Sequence, residues 1–256
     1  TIFRLSEADE VAVLEMGISD FNEMHRLGAI ARPDICVITN IGLCHLENLG
    51  SRDGILKAKT EIFEHLNGTG TVILNGEDDR LSTVENVNGK VPVFYGKSEK
   101  NQCGKENCIY ATEIRNLGLD GMKAVFHFPE CTKEVEIPIP GEHNVLNALA
   151  GACVGMELGL DVEQTIGGRT NLIHANDMLI IDDCYNANPV SMRASIDVLT
   201  QAKGRMIAVL GDMGELGADE KRLHYEVGAY AASRGLDALF CCGELSKELA
   251  KGAEEH

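Results

Sequence analysis

The chain alternates between short apolar runs and stretches with helical spacing. Residues 11–16 (Val-Ala-Val-Leu-Glu-Met) and 35–41 (Ile-Cys-Val-Ile-Thr-Asn-Ile) are nearly continuous apolar runs rich in β-branched side chains. Such runs predict strands buried on both faces, as in a parallel sheet. Between them, Ser19 or Asp20 is placed to cap a helix carrying Met24, Leu27 and Ile30 on one stripe, with Pro33 as its stop. A second helix is expected from about Ser51 to Leu66, then a strand from Thr71 to Leu74 closed by Asn75-Gly76. The β-α-β-α-β rhythm implies right-handed crossovers and an α/β sheet.

Residues 90–138 change character. Short alternating runs at Val91–Tyr95, Ile109–Ile114, Met122–Phe128 and Val135–Ile137 are separated by Gly and Asn turns, which predicts antiparallel additions to the sheet. Helical spacing returns at Asn144–Leu158, and Gly167-Gly168 reads as a hinge. After it come a strand at 178–183, a helix at 189–202 opened by Pro189, a strand at 206–210, a helix at 219–234, a strand at 238–242 and a last helix. This predicts a second α/β unit, with the division at 1–168 and 169–256.

Composition narrows the function classes. The 256 residues are 44% hydrophobic and 25% charged, a balance that supports a buried core. A net charge of -17 argues against a nucleic-acid surface, which needs clustered Lys and Arg. No signal peptide or apolar run of membrane-spanning length is visible, so no membrane insertion and a cytoplasmic setting are expected. The nine cysteines form no CxxC pair, and several sit inside apolar runs, as reduced thiols used as small hydrophobes do. Cys103, Cys108, His127 and Cys131 have the residue types of a zinc site but not its spacing.

Three stretches carry candidate chemistry. Glu15 follows the first predicted strand and His45 the next, at the carboxyl edge where open parallel sheets gather ligands. A carboxylate and an imidazole there could hold a divalent metal, or serve as an end-of-strand ion pair and a satisfied loop histidine. Lys59 falls near the middle of the stripe formed by Ile55, Ala58, Ile62, Phe63 and Leu66. A lysine there must lose its charge, find a partner, snorkel or act chemically. In the second stretch, Asn144 and Asn147 follow His143 three residues apart on one face at a helix start, suited to reading a base edge or to capping. In the third, a strand read as buried runs into Asp182-Asp183-Cys184-Tyr185-Asn186-Ala187-Asn188-Pro189 and delivers two carboxylates and two amides to a strand-to-helix turn. That turn reads as a ligand loop or as a capped turn with Pro at the first helical position. Gly211–Gly217 follows the next strand in the same way, so the two loops could line one pocket.

Taken in order and spacing, these motifs resemble the Mur ligase family, and within it the branch that adds D-Ala-D-Ala. The resemblance rests on Leu14-Glu15-Met16-Gly17, Thr39-Asn40-Ile41-Gly42 with His45-Leu46-Glu47-Asn48-Leu49-Gly50, Lys57-Ala58-Lys59, His143-Asn144 with Asn147, and Asp182–Pro189. It implies an ATP-binding central domain followed by a partial Rossmann-like domain. It further implies Glu15, His45 and a carbamylated Lys59 as Mg2+ ligands, His143, Asn144 and Asn147 on the adenine side, and Arg169 and Asp183 at the γ-phosphate and ribose. Tyr185, Asn186 and Asn188 would meet the incoming dipeptide. The implied substrates are UDP-MurNAc-tripeptide, ATP and D-Ala-D-Ala, joined through an acyl phosphate by a monomer. No Gly-x-x-x-x-Gly-Lys-Ser/Thr occurs in the chain, a phosphate loop that the family carries just before the region equivalent to residue 1. The chain by itself is therefore expected to be an inactive piece of the enzyme. Two alternatives stand: a folylpolyglutamate synthase-like ligase, whose corresponding loop usually has His where Ala187 stands, and a non-catalytic nucleotide-binding or scaffold module.

Overall fold

The computed structural model describes residues 5–43, 46–97, 108–160, 171–175, 177–184 and 186–256. The expected hinge at Gly167-Gly168 lies outside them. The first unit is built on a six-stranded sheet in the order β1-β2-β3-β4-β5-β6: Ile35–Ile38, Thr71–Asn75, Val93–Gly96, Cys108–Asn116, Met122–His127 and Thr132–Ile137. Strands β1 to β4 run parallel, and β5 and β6 are added antiparallel. Antiparallel pairing thus begins at β5 rather than in the run at 91–95.

Alternation along the strands divides the side chains between two cores. Val72 and Leu74 of β2 and Phe94 of β3 enter the core on one face, with Ile38, Ile55 and Ala58. Ile73 and Tyr95 enter the other, with Phe126, Val145 and Leu149. Helix α4 (His143–Glu157) covers that second face, while α1 (Glu23–Ala31) and α3 (Arg52–Thr60) supply the first. Burial on both faces is why these strands carry continuous apolar runs. Helix α2 (Leu46–Leu49) is a single turn after β1, and α3 starts with Ser51 accepting from the Gly54 N–H at 3.1 Å.

Two expectations fail at the start of the chain. Residues 11–16 form no strand, and Val13 is 84% exposed. An apolar β-branched run becomes a strand only where a neighbouring backbone takes up its hydrogen bonds, and none of the described strands pairs with it. Neither Ser19 nor Asp20 caps α1. Their N–H groups donate instead to the Glu23 carboxylate, at 2.7 and 3.1 Å. The Asn22 and His25 N–H groups donate to Glu61, so the helix start is closed by a residue far along the chain.

The second unit contains β7 (Asn171–Ala175), β8 (Met178–Asp182), α5 (Pro189–Leu199), β9 (Ile207–Gly211), α6 (Glu220–Ser233), β10 (Ala238–Cys242) and α7 (Ser246–Glu254). Strands β9 and β10 are parallel and joined through α6, the expected Rossmann-like unit. Its core gathers Met192, Ile196, Met213, Leu216, Leu223, Val227 and Leu249. Strand β8 departs from expectation: it pairs antiparallel with β7 in a two-stranded ribbon, and Met178 and Ile180 are exposed.

Candidate functional site

The carboxyl end of β1 is held by side chains. The Thr39 carbonyl accepts from Asn75 Nδ2 at 2.9 Å and the Asn40 carbonyl from Lys59 Nζ at 3.0 Å. The Ile41 N–H donates to Asp78 at 2.7 Å, and its carbonyl accepts from Arg52 Nε at 2.8 Å. Four backbone polar groups of three consecutive residues, in a loop without regular structure, are thereby satisfied. Lys59 is half-buried, and its position on the apolar stripe of α3 brings its head to the sheet edge, where the carbonyl receives it. Hydrogen bonding to Asp79 and the nearby acidic charges raise the pKa of Arg52, so this clamp stays cationic.

Sequence reading missed Asn75, Asp78 and Arg52. Asn75 was legible merely as half of an Asn-Gly turn, yet it is 8% exposed and polar, and its own carbonyl oxygen Oδ1 accepts from the Glu77 N–H. Asp78 likewise closes its own turn, accepting from the Arg80 and Leu81 N–H groups. Glu15 lies in the stretch without regular structure before α1 and is exposed. His45, Arg169 and Tyr185 lie outside the described residues.

The start of α4 forms the second part. The Asn144 amide is buried and donates to the Pro140 carbonyl at 2.8 Å, with His143 Nε2 at 3.1 Å. The Asn147 amide donates to Asn144 Oδ1 at 3.0 Å, so the two asparagines share a face as their spacing predicts. This end of α4 meets the second unit: a Cβ on Gly141 would stand 3.2 Å from Val198 of α5. Burial lowers the His143 pKa, and the charge of Asp183 acts in the opposite sense. His143, Asn144 and Asn147 therefore share the start of α4, beside the place where Gly141 meets Val198 of α5.

Asp183 accepts a hydrogen bond from the Ser195 hydroxyl of α5. Asn188 is the N-cap of α5: its side-chain oxygen accepts from the Val190 and Ser191 N–H groups, and Ser191 returns a bond to the Asn188 N–H. Asn186 is exposed, and its side-chain oxygen accepts from the Ala187 N–H at 2.8 Å. In the neighbouring loop, Asp212 accepts from both the N–H and the hydroxyl of Ser246, at 2.7 and 2.6 Å, tying the end of β9 to α7. The far side of that loop faces the first unit. Leu216, Gly217 and Asp219 line a cleft of about 530 Å³ with Leu46, Glu47 and Gly50.

The expectation of reduced, apolar thiols holds for Cys36 and Cys153, whose pKa values burial pushes up to about 12. Cys108 differs, being disulfide-bonded. His127 bonds Thr112 at 2.7 Å and stacks on Tyr110, and among the described residues it joins no metal-binding cluster with Cys108 and Cys131. No helix among the described residues is long and apolar enough to cross a membrane.

An α/β unit with its candidate loops at the sheet's carboxyl edge, joined to a smaller Rossmann-like unit, has the architecture of an open-sheet α/β protein. The Mur ligase middle domain matches residues 1–155, and the Mur ligase glutamate ligase domain matches residues 168–256. The chain belongs to the Mur ligase family. It is 35% identical to the UDP-N-acetylmuramoyl-tripeptide--D-alanyl-D-alanine ligase of Bacillus subtilis, covering 100% of this chain and 56% of that protein. Among solved structures it is similar to MurF from Acinetobacter baumannii, with 32% identity and a TM-score of 0.85 over 97% of this chain and 55% of the other. It is also similar to MurF ligase from Thermotoga maritima in complex with ADP, with 26% identity and a TM-score of 0.75 over 90% and 54% of the two chains. A folylpolyglutamate synthase from Thermotoga maritima shares the fold at 13% identity and a TM-score of 0.56, over 87% of this chain and 52% of the other. The chain spans about half the length of the relatives it matches.

Proposed function

We propose that this chain is the central domain (1–168) and part of the C-terminal domain (169–256) of the cytoplasmic, monomeric ligase that adds D-Ala-D-Ala to UDP-MurNAc-tripeptide at the expense of ATP. The observation that carries the reading is similarity from end to end to proteins bearing that activity in their names, running through the loop that includes Asp183, Asn186 and Asn188. The geometry adds support, because Asp183 of one unit acts electrostatically on His143 of the other. Residues that serve one nucleotide must converge across the units, and the proximity of Asp183 to His143 supports this reading.

In this reading ATP phosphorylates the tripeptide carboxylate, and the dipeptide amine then attacks the acyl phosphate, releasing phosphate. His143, Asn144 and Asn147 hold the adenine, Asp183 the ribose and Arg169 the γ-phosphate. Mg2+ supplies the positive charge that the phosphoryl group needs in transit. Glu15, His45 and Lys59 are its proposed ligands. An ammonium has no lone pair, so Lys59 can join them once carbamylated, when its new oxygens suit a hard cation. The Asn40 contact already places the Lys59 head at the sheet's carboxyl edge. Tyr185, Asn186 and Asn188 meet the dipeptide. The test is D-Ala-D-Ala-dependent phosphate release by the full-length protein. Release driven by glutamate instead would favour the folylpolyglutamate synthase-like alternative.

A further inference from the structure

Away from all these loops, three ligand-type side chains converge on the outer face of the first unit. His25 Nδ1 on α1 lies 2.9 Å from Glu64 Oε2 and 3.2 Å from His65 Nε2, both at the end of the helical turn Glu61–His65. All three atoms lie within 4.8 Å of one another. The arrangement is awkward for hydrogen bonding alone, because both neighbours address the same ring nitrogen. If His25 Nδ1 carries a proton, it can donate to Glu64 but cannot accept from His65; without the proton the reverse holds. A cation placed among the three would take a lone pair from each.

The scaffold seats these groups firmly. Glu61 takes the Asn22 and His25 N–H groups, locking the start of α1 onto the turn that carries Glu64 and His65. Gly28, one helical turn beyond His25, makes room for the second ring: a Cβ there would stand 3.0 Å from His65 Cδ2. The two imidazoles meet edge to face, with ring centroids 4.4 Å apart.

We propose that His25, Glu64 and His65 form a site for a divalent transition ion of the zinc type, distinct from the Mg2+ expected at the sheet edge. Two imidazole nitrogens and one carboxylate oxygen suit zinc, whose bonds of about 2.0–2.2 Å place tetrahedral ligand atoms a little over 3 Å apart. Magnesium, which prefers oxygen ligands, is a poor match. The ion would clasp α1 to the turn that directly follows Lys59's helix, and so act as a structural staple.

The test uses the purified full-length protein, stripped with a chelator and titrated with Zn2+, Co2+ and Mg2+ by calorimetry and absorption. Expected are saturable one-to-one binding of Zn2+ and Co2+, visible Co2+ bands without thiolate charge transfer, and no Mg2+ binding at this site. Thermal unfolding should rise by roughly 5 °C at a hundredfold excess of Zn2+ over its dissociation constant. His65→Gln and Glu64→Gln should each weaken binding at least about tenfold. Glu64 is exposed enough that its variant keeps the fold even if His65→Gln does not. Absence of saturable binding would overturn the proposal, as would binding that both variants leave unchanged. Cobalt spectra dominated by thiolate charge transfer would overturn it too, because the ion would then sit on cysteines.

Discussion

The Lys59 ammonium donates to the Asn40 carbonyl at 3.0 Å, so a lysine on the inner stripe of α3 ends at the carboxyl edge of the sheet. Its amine nitrogen is thus held where the proposed chemistry needs anionic oxygens. In the full-length protein, Lys59→Ala should reduce turnover sharply, with partial rescue by added short carboxylic acids. Labelled bicarbonate followed by carbon NMR should show a carbamate that the variant lacks. Full activity in Lys59→Ala would contradict the metal-ligand role.

Asn75 secures the neighbouring carbonyl of Thr39 from a buried position. Asn75→Ala should lower stability by about 1–3 kcal/mol, because both the Thr39 carbonyl and the Glu77 N–H lose a partner. Denaturant unfolding measures this, and a change below about 0.5 kcal/mol would show the clamp to be dispensable.

His143 tests the contact between units. Burial lowers its pKa, so the neutral ring is the form that folding favours. Its contribution to stability should be complete above the ordinary histidine value of about 6.5 and fade as pH falls through the lowered folded value. Asp183 opposes that shift, so Asp183→Asn should move the His143 titration to still lower pH. Ring-proton NMR reads this directly; a titration that stays in place would mean the Asp183 charge does not reach the ring.

Asn188 has a structural duty besides the one proposed for it. Asn188→Ala removes the N-cap of α5 and should cost about 1 kcal/mol of stability. Asn188→Asp keeps the cap but sets a negative charge where the anionic dipeptide is proposed to bind. The aspartate variant should keep its thermal midpoint and raise KM for D-Ala-D-Ala at least tenfold, with KM for ATP little changed. If the ATP constant moves instead, the loop serves the nucleotide.

Part of the sheet was legible because strands buried on both faces have no polar side to hide, as in Val72–Leu74, whereas Phe94–Tyr95, buried on both faces too, was read as part of an alternating antiparallel run. The same signal misled at residues 11–16, since composition cannot say whether a ladder partner is present. Strand β8 was mistaken for a buried strand because Leu179-Ile180-Ile181 reads the same in a two-stranded ribbon as in a core. At the site, the stripe on α3 exposed Lys59 as unusual, and three-residue spacing paired Asn144 with Asn147. Asn75, Asp78, Arg52 and the Glu61 cap escaped notice because their partners lie 11 to 39 residues away, a distance that local pattern cannot bridge.

The central claim is the identity of the incoming amine. The decisive measurement is phosphate release by the full-length protein supplied with ATP, Mg2+ and UDP-MurNAc-tripeptide, comparing D-Ala-D-Ala with glutamate. Stoichiometric release with D-Ala-D-Ala and none above background with glutamate is the predicted result, matched by silence from the 256-residue chain, which contains no Gly-x-x-x-x-Gly-Lys-Ser/Thr loop. Release that depends on glutamate, or the absence of dipeptide-dependent release from an intact folded protein, would contradict it.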